Sequence, residues 1–157
     1  VTLSPPGELD LYLLGEGRHR RLWEVLGAQV THEGASFAVW APNARTVSVT
    51  GDWSSWSTEA ATPLRPLADS GVWWGVASAA QVGQTYKFAV TGPDGRTTLR
   101  ADPMARAAEL APQTASVLHQ SHYDWQAPTW REARATRNAG RMSVYEMHLG
   151  SWRRHPD

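Results

Sequence analysis

Ser36-Phe37-Ala38-Val39-Trp40-Ala41-Pro42-Asn43-Ala44-Arg45-Thr46-Val47-Ser48-Val49-Thr50 is the stretch on which the fold turns. Phe37 and Val39 alternate with Ser36, Ala38 and Trp40, the period of two that marks a strand with one buried face. Ala41-Pro42-Asn43-Ala44 interrupts it as a turn, because proline presets φ and asparagine tolerates tight backbone. Val47 and Val49 then alternate with Thr46, Ser48 and Thr50, a second strand.

The pattern repeats downstream. Gly71 to Ala77 reads as a third strand, with Val72, Trp74 and Val76 on one face. A fourth carries Tyr86, Phe88 and Val90 on one face and Lys87 and Ala89 on the other. Thr91-Gly92-Pro93-Asp94-Gly95 is a hairpin turn, and Arg96 to Arg100 closes the hairpin. Short strands at spacings near ten residues, split by turn residues, predict a mostly β chain built on an antiparallel, immunoglobulin-like β-sandwich over residues 29–102. Gly51 to Thr62 is read as a loop. Residues 1–28 are expected to hold a mobile tail over 1–7 and a short helix over Arg18 to Leu26, ended by Gly27. Residues 103–141, with Pro103, Pro112 and Gly140, read as an irregular connector with short helices over Met104 to Leu110 and Trp130 to Arg137. Residues 142–157 open with Ser143 to His148, a run of β-formers expected to be a strand. Nothing after it could pair with it, so the chain reads as a fragment of a longer protein.

Composition narrows the function. The 157 residues carry 15 basic and 15 acidic side chains, and no long block of like charge. Nothing here points to a nucleic acid or an anionic membrane as partner. Cysteine is absent, which removes disulfides and thiolate metal sites and fits a reducing compartment. No apolar run is long enough to span a bilayer, and the first residues lack the basic and apolar regions of a signal peptide. A cytoplasmic protein is the expectation. Nine tryptophans are many for this length, and Lys87 is the only lysine. Tryptophan suits a packed core, and its flat face also suits stacking on a sugar ring.

Candidate residues follow from these biases. Trp53 and Trp56 lie in the loop after the second strand, Trp53 expected in the core and Trp56 open to either packing or contact. Trp73 and Trp74 are adjacent in a strand and must face opposite sides. Lys87 lies off the core face. His119 and His122 are three apart, but no third ligand accompanies them, so no metal is assigned. His148 is read as packing. Asp52 and Asp102 could pass for a catalytic pair, yet Asp102-Pro103 is better read as a turn. There is no glycine-rich phosphate loop and no nucleophile–base–acid order; no catalytic, cofactor or metal residue is assigned to this chain.

Five segments together carry a resemblance: Leu26-Gly27-Ala28, Phe37 to Ala44, Tyr86-Lys87-Phe88 before Pro93-Asp94-Gly95, Ala101-Asp102-Pro103, and Tyr145-Glu146-Met147-His148-Leu149-Gly150-Ser151-Trp152-Arg153-Arg154. In this order and spacing the chain resembles the N-terminal part of bacterial glycogen branching enzymes, from about Leu11 to Arg154. The resemblance implies a family 48 carbohydrate-binding type β-sandwich ahead of a (β/α)₈ barrel whose first strand would be Ser143 to His148. It implies an enzyme that cuts an α-1,4 glucan and transfers the piece to a 6-hydroxyl, with two carboxyl groups at the ends of later barrel strands. None of these lies in residues 1–157, and Glu146 is not one of them. It also implies that Trp56 is a sugar platform and Lys87 a donor to sugar hydroxyls, with α-glucan and the enzyme's own barrel as partners. The loop departs from the family pattern at Trp53, usually Phe, and Ser54, usually Asn. The second platform expected after Asp94-Gly95 is replaced by Arg96-Thr97. Two other readings stay open: a stand-alone glucan-binding module, and a debranching or trehalose-forming relative.

Overall fold

The computed structural model describes residues 3–124, 128–137, 141 and 143–152. It divides into two compact units, Val1–Ser121 and His122–Asp157.

The first unit is built on nine antiparallel strands. They are β1 (Gly27–Thr31), β2 (Gly34–Trp40), β3 (Thr46–Gly51), β4 (Thr62–Pro66), β5 (Val72–Ala77), β6 (Thr85–Thr91), β7 (Thr97–Arg100), β8 (Ala107–Ala108) and β9 (Ser116–Val117). Their order is β1-β2-β5-β4-β3-β6-β9-β8, with β7 also on β6. The sheet folds over at β4, which pairs with β3 through Thr62 to Leu64 and with β5 through Arg65 and Pro66. The predicted sandwich is therefore present, and its two faces close on one core. Ala35, Phe37 and Val39 of β2, Val47 and Val49 of β3, and Tyr86 and Phe88 of β6 all point inward, as their alternation requires. Phe37 sits edge-on to Tyr86 and Phe88, with ring centroids 5.2 and 6.4 Å away. Edge-to-face rings of this kind add to the stabilisation that area alone gives.

Four differences from the sequence reading have physical causes. The helix lies over Glu8–Gly15 (α1), and residues 18–26 hold only a one-turn 3₁₀ helix at Leu22–Glu24. The Asp10 carboxylate takes the Gly7 N–H at 3.1 Å and caps α1. His19 Nδ1 takes the Arg21 N–H at 3.1 Å, a side-chain contact that competes with a helix there. Leu11 and Leu14 of α1 then cover the outer face of the sandwich at Ala38, Val72 and Trp74. Second, β4 lies beyond the residues read as strands, since Pro63 and Pro66 weaken the strand pattern. Each half of β4 pairs on only one side, which leaves room for residues without an N–H. Third, Met104 to Leu110 is not a helix, and the sheet continues past Asp102 through β8 and β9, each too short to show a period. Leu118, just after β9, is fully buried in the core. Fourth, Ser143 to His148 forms no ladder with any described residue. A strand needs a neighbouring edge to take up its N–H and C=O groups, and the second unit contains none among the described residues. That unit comprises α2 (Pro128–Arg137), which includes the helix read over Trp130 to Arg137, and α3 (Leu149–Trp152). Tyr145 meets Trp152 edge-on at 5.3 Å.

One buried polar knot ties the far side of the sheet. The Tyr86 hydroxyl donates to Asp102 Oδ2 at 2.6 Å. Asp102 also takes the Met104 N–H at 2.8 Å, and its own N–H donates to the Ser116 hydroxyl at 2.8 Å. Burial holds the Asp102 carboxyl above its ordinary range, against the pull of these donors. Burial and the adjacent Asp102 charge keep the Tyr86 phenol protonated far above its usual range, so it remains a donor. Gly27 explains the Leu26-Gly27-Ala28 signature. Its φ is +83°, and a side chain there would sit 3.0 Å from Met104 Cβ and 3.3 Å from Asp102 Oδ2.

Candidate glucan-contact site

β3 leaves the sheet at Gly51 into a 3₁₀ turn at Asp52–Ser54 and then into two consecutive left-handed residues, Ser55 (φ 49°) and Trp56 (φ 60°). Neither is glycine, so each costs about 1–2 kcal/mol of backbone strain. A dense set of bonds holds the turn in place. The Trp56 N–H returns to the Gly51 carbonyl at 3.0 Å, and the Ser57 N–H returns to that of Ser54 at 3.0 Å. The Ser54 hydroxyl accepts from the Gly51 N–H at 3.1 Å and lies 2.9 Å from the Thr50 hydroxyl. Ser54 is therefore a structural pin at the position where the family pattern has Asn.

The turn sends its two tryptophans in different directions. Trp53 goes inward and stacks on Phe37 at 5.6 Å, the predicted core role. Its indole Nε1 is buried with no hydrogen-bond partner. Trp56 goes outward and is 37 % exposed. Its indole N–H donates to Asp52 Oδ1 at 2.9 Å. Asp52 in turn accepts from the Thr85 N–H at 2.6 Å and from the Thr85 hydroxyl at 2.9 Å. The Thr85 N–H is the main reason the Asp52 carboxyl lies below the ordinary range; burial opposes it, and the Trp56 and Thr85 side chains assist.

Lys87 reaches the same side of the sheet. It pairs with Thr50 across β3 and β6, and directly opposed residues share a face. Thr50 is covered by this turn through its contacts with Ser54 and the Ser57 carbonyl. The Lys87 ammonium donates to the Thr114 hydroxyl at 2.7 Å, which leaves two of its three protons for other acceptors. An exposed indole and an ammonium on one side of the sheet are chemistry suited to a sugar ring, whose C–H face stacks and whose hydroxyls accept.

The other candidates separate from this group. Trp73 is inward, with its N–H on the Ala41 carbonyl at 3.0 Å, and Trp74 is outward under the Arg65 guanidinium. Arg96 lies in the β6–β7 hairpin beside a cleft of about 570 Å³ that Pro42, Asn43 and Arg100 also line. That cleft is at the opposite end of β6 from Thr85. Asp52 and Asp102 have separate tasks, one at the turn and one in the buried knot. His119 is exposed, and among the described residues no group of three or more His, Cys, Asp or Glu is placed to hold a metal. Glu146 and His148 are exposed, and His148 Nδ1 meets the Ser151 hydroxyl at 3.0 Å, so His148 does not take the packing role expected for it. Sequence reasoning missed Asp52, Thr85 and Thr114 as parts of the site. Asp52 had a signal, a carboxylate directly before Trp53 in a turn; Thr114 had none, since 27 residues separate it from Lys87.

The chain is 50 % identical over 153 residues to the 1,4-alpha-glucan branching enzyme GlgB 1 of Streptomyces avermitilis, covering 94 % of this chain and 18 % of that protein. It is 52 % identical over 157 residues to the 1,4-alpha-glucan branching enzyme GlgB of Nocardia farcinica, covering 94 % and 21 %. The chain thus spans about a fifth of the length of the curated relatives it matches. Among solved structures, an apo pullulanase from Klebsiella pneumoniae superposes with a TM-score of 0.50 at 26 % identity, over 60 % of this chain and 11 % of that one. An apo pullulanase from Paenibacillus barengoltzii shares the fold, with a TM-score of 0.53 at 19 % identity over 69 % of this chain and 18 % of that one. The match that covers strands β1 to β7 runs over residues 25–105, from the entry into β1 to the turn that carries Asp102, and by it the chain belongs to the carbohydrate-binding module 48 (isoamylase N-terminal domain) family.

Proposed function

We propose that this chain is the non-catalytic N-terminal region of a cytoplasmic glycogen branching enzyme, and that it contacts α-glucan through Trp56 and Lys87. In this reading the whole enzyme transfers α-1,4-glucan segments to 6-hydroxyls. Ser143 to His148 becomes the first strand of its barrel, paired only when the following strands are present. The catalytic carboxylates belong to later strands of that barrel. Identity near 50 % to branching enzymes, against 26 % to a pullulanase, favours branching over debranching. A sequence without cysteine suits the cytoplasm.

The observation that carries glucan contact is Trp56: an exposed indole held in left-handed backbone by the bonds of its own turn. Strain of this kind persists where the surrounding structure over-determines it, and it clusters at ligand sites. With a single platform the affinity for a maltooligosaccharide is expected near millimolar, about −4 kcal/mol. Titration with maltoheptaose, followed by tryptophan fluorescence, tests this. Trp56→Ala should abolish the response; an unchanged response would remove the site. The chain by itself should create no α-1,6 linkages in amylose, and their appearance would overturn the placement of catalysis in the barrel.

A further inference from the structure

Asp52 touches both elements of the proposed site. Its Oδ1 takes the Trp56 indole N–H at 2.9 Å, and its Oδ2 takes the Thr85 N–H at 2.6 Å. Thr85 opens the strand that carries Lys87 two residues on. The carboxylate therefore bridges the platform-bearing turn to the donor-bearing strand. The bridge is ionic in character on one side only, since both partners are neutral donors and no cation competes for it among the bonds described.

Two consequences follow. The indole cannot rotate about its side-chain torsions without breaking a charge-assisted bond, so its face is presented before any ligand arrives. Preorganisation of this kind removes an ordering cost that would otherwise weaken binding. The indole N–H is also spent, so Trp56 offers a glucan only its π-face. Hydroxyl recognition then falls to Lys87.

We propose that Asp52 is a positioning residue for glucan binding, acting by orienting the Trp56 indole through its N–H; this rests on the reading of Trp56 as the glucan platform. Asp52 does not touch the sugar. Its removal costs affinity through Trp56, and the cost disappears when the indole N–H is absent.

The test is a cycle of Asp52→Ala in wild-type and Trp56→Phe backgrounds, each titrated with maltoheptaose and each unfolded thermally. Asp52→Ala should weaken binding about tenfold in the wild-type background, the size expected for one charge-assisted bond. In the Trp56→Phe background it should weaken binding less than about twofold. An equal loss in both backgrounds would mean that Asp52 only stabilises the turn, and the proposal fails. An unchanged affinity in the wild-type background would also sink it. The ¹⁵N-labelled indole resonance that vanishes in Trp56→Phe gives an independent readout. It should move upfield in Asp52→Ala, and a fixed resonance would refute the bond in solution. Trp56→Ala separates the two levels: if it binds like wild type, the glucan reading itself has failed. If it loses binding while Asp52→Ala does not, only the positioning role has failed.

Discussion

Removing a single oxygen from the core puts the buried knot to the test. Tyr86→Phe keeps the ring, which is 1 % exposed and edge-on to Phe37 and Phe88, and deletes only the hydroxyl that donates to Asp102. Phenylalanine fits the same space, so no cavity larger than one oxygen forms. The loss is that of a hydrogen bond to a charged group, about 2 kcal/mol. For a folded unit of about 120 residues the unfolding entropy is about 0.25 kcal/mol per degree, so the melting temperature should fall by about 8 °C. The pH dependence fixes the cause. Asp102 has a folded pKa above its unfolded value of about 3.9. Folded protein therefore holds this proton to higher pH than unfolded chain does. Stability falls as pH rises through the window between the two values and levels off above it. The Tyr86 hydroxyl pulls the carboxyl down, so its deletion raises the folded value further and widens that window. The penalty of Tyr86→Phe should be full at pH 7.5 and smaller at pH 4. Thermal and urea unfolding of both proteins at the two pH values measure it. A loss under 2 °C, or one that is the same at both pH values, would refute the role given to Asp102.

Gly27→Ala combines left-handed strain with contacts at Met104 and Asp102, and should cost about 2–3 kcal/mol in urea unfolding. Gly95→Ala is its control: φ is +78° but nothing lies within 4 Å, so the loss should stay near 1 kcal/mol. Trp53→Phe removes a buried N–H that has no partner, recovering about 1–3 kcal/mol against a similar loss of buried ring area. Its stability should stay within about 1 kcal/mol of wild type, and a loss above 2 kcal/mol would show that the N–H is satisfied in solution. Thr114→Val frees the Lys87 ammonium and should weaken maltoheptaose binding a few-fold with an unchanged melting temperature, because Thr114 is exposed.

What could be read from the sequence was whatever repeats locally. Phe37 and Val39, Val47 and Val49, and Tyr86 and Phe88 announced their strands because each pair alternates with smaller or more polar residues over five or more positions. Trp53 and Trp56 share one loop; the structure sends Trp53 inward onto Phe37, the core role expected of it, and Trp56 outward. What escaped was set by partners distant in sequence. β9 is two residues long and exists because Thr85 and Tyr86 offer it an edge. Leu118 is core only because that pairing brings it there. The helix moved from 18–26 to 8–15 because capping by Asp10 and side-chain competition from His19 outweighed the apolar run at Leu22 to Leu26. Asp52 was visible as a carboxylate in a turn, but its partner Thr85 is 33 residues away.

The division of β4 between two neighbours bears on how the domain breathes. Thr62 to Leu64 and Arg65 to Pro66 are the hinge line along which one sheet becomes the other, and two of these five residues carry no amide proton. A ladder with donors missing has fewer bonds to break when it opens. Amide exchange should therefore report two cooperative blocks, one centred on β2 and β5 and the other on β3 and β6, that separate along β4 before either melts. Trp56 and Lys87 both belong to the second block, so each would keep its place through an opening that unseats α1 and the first.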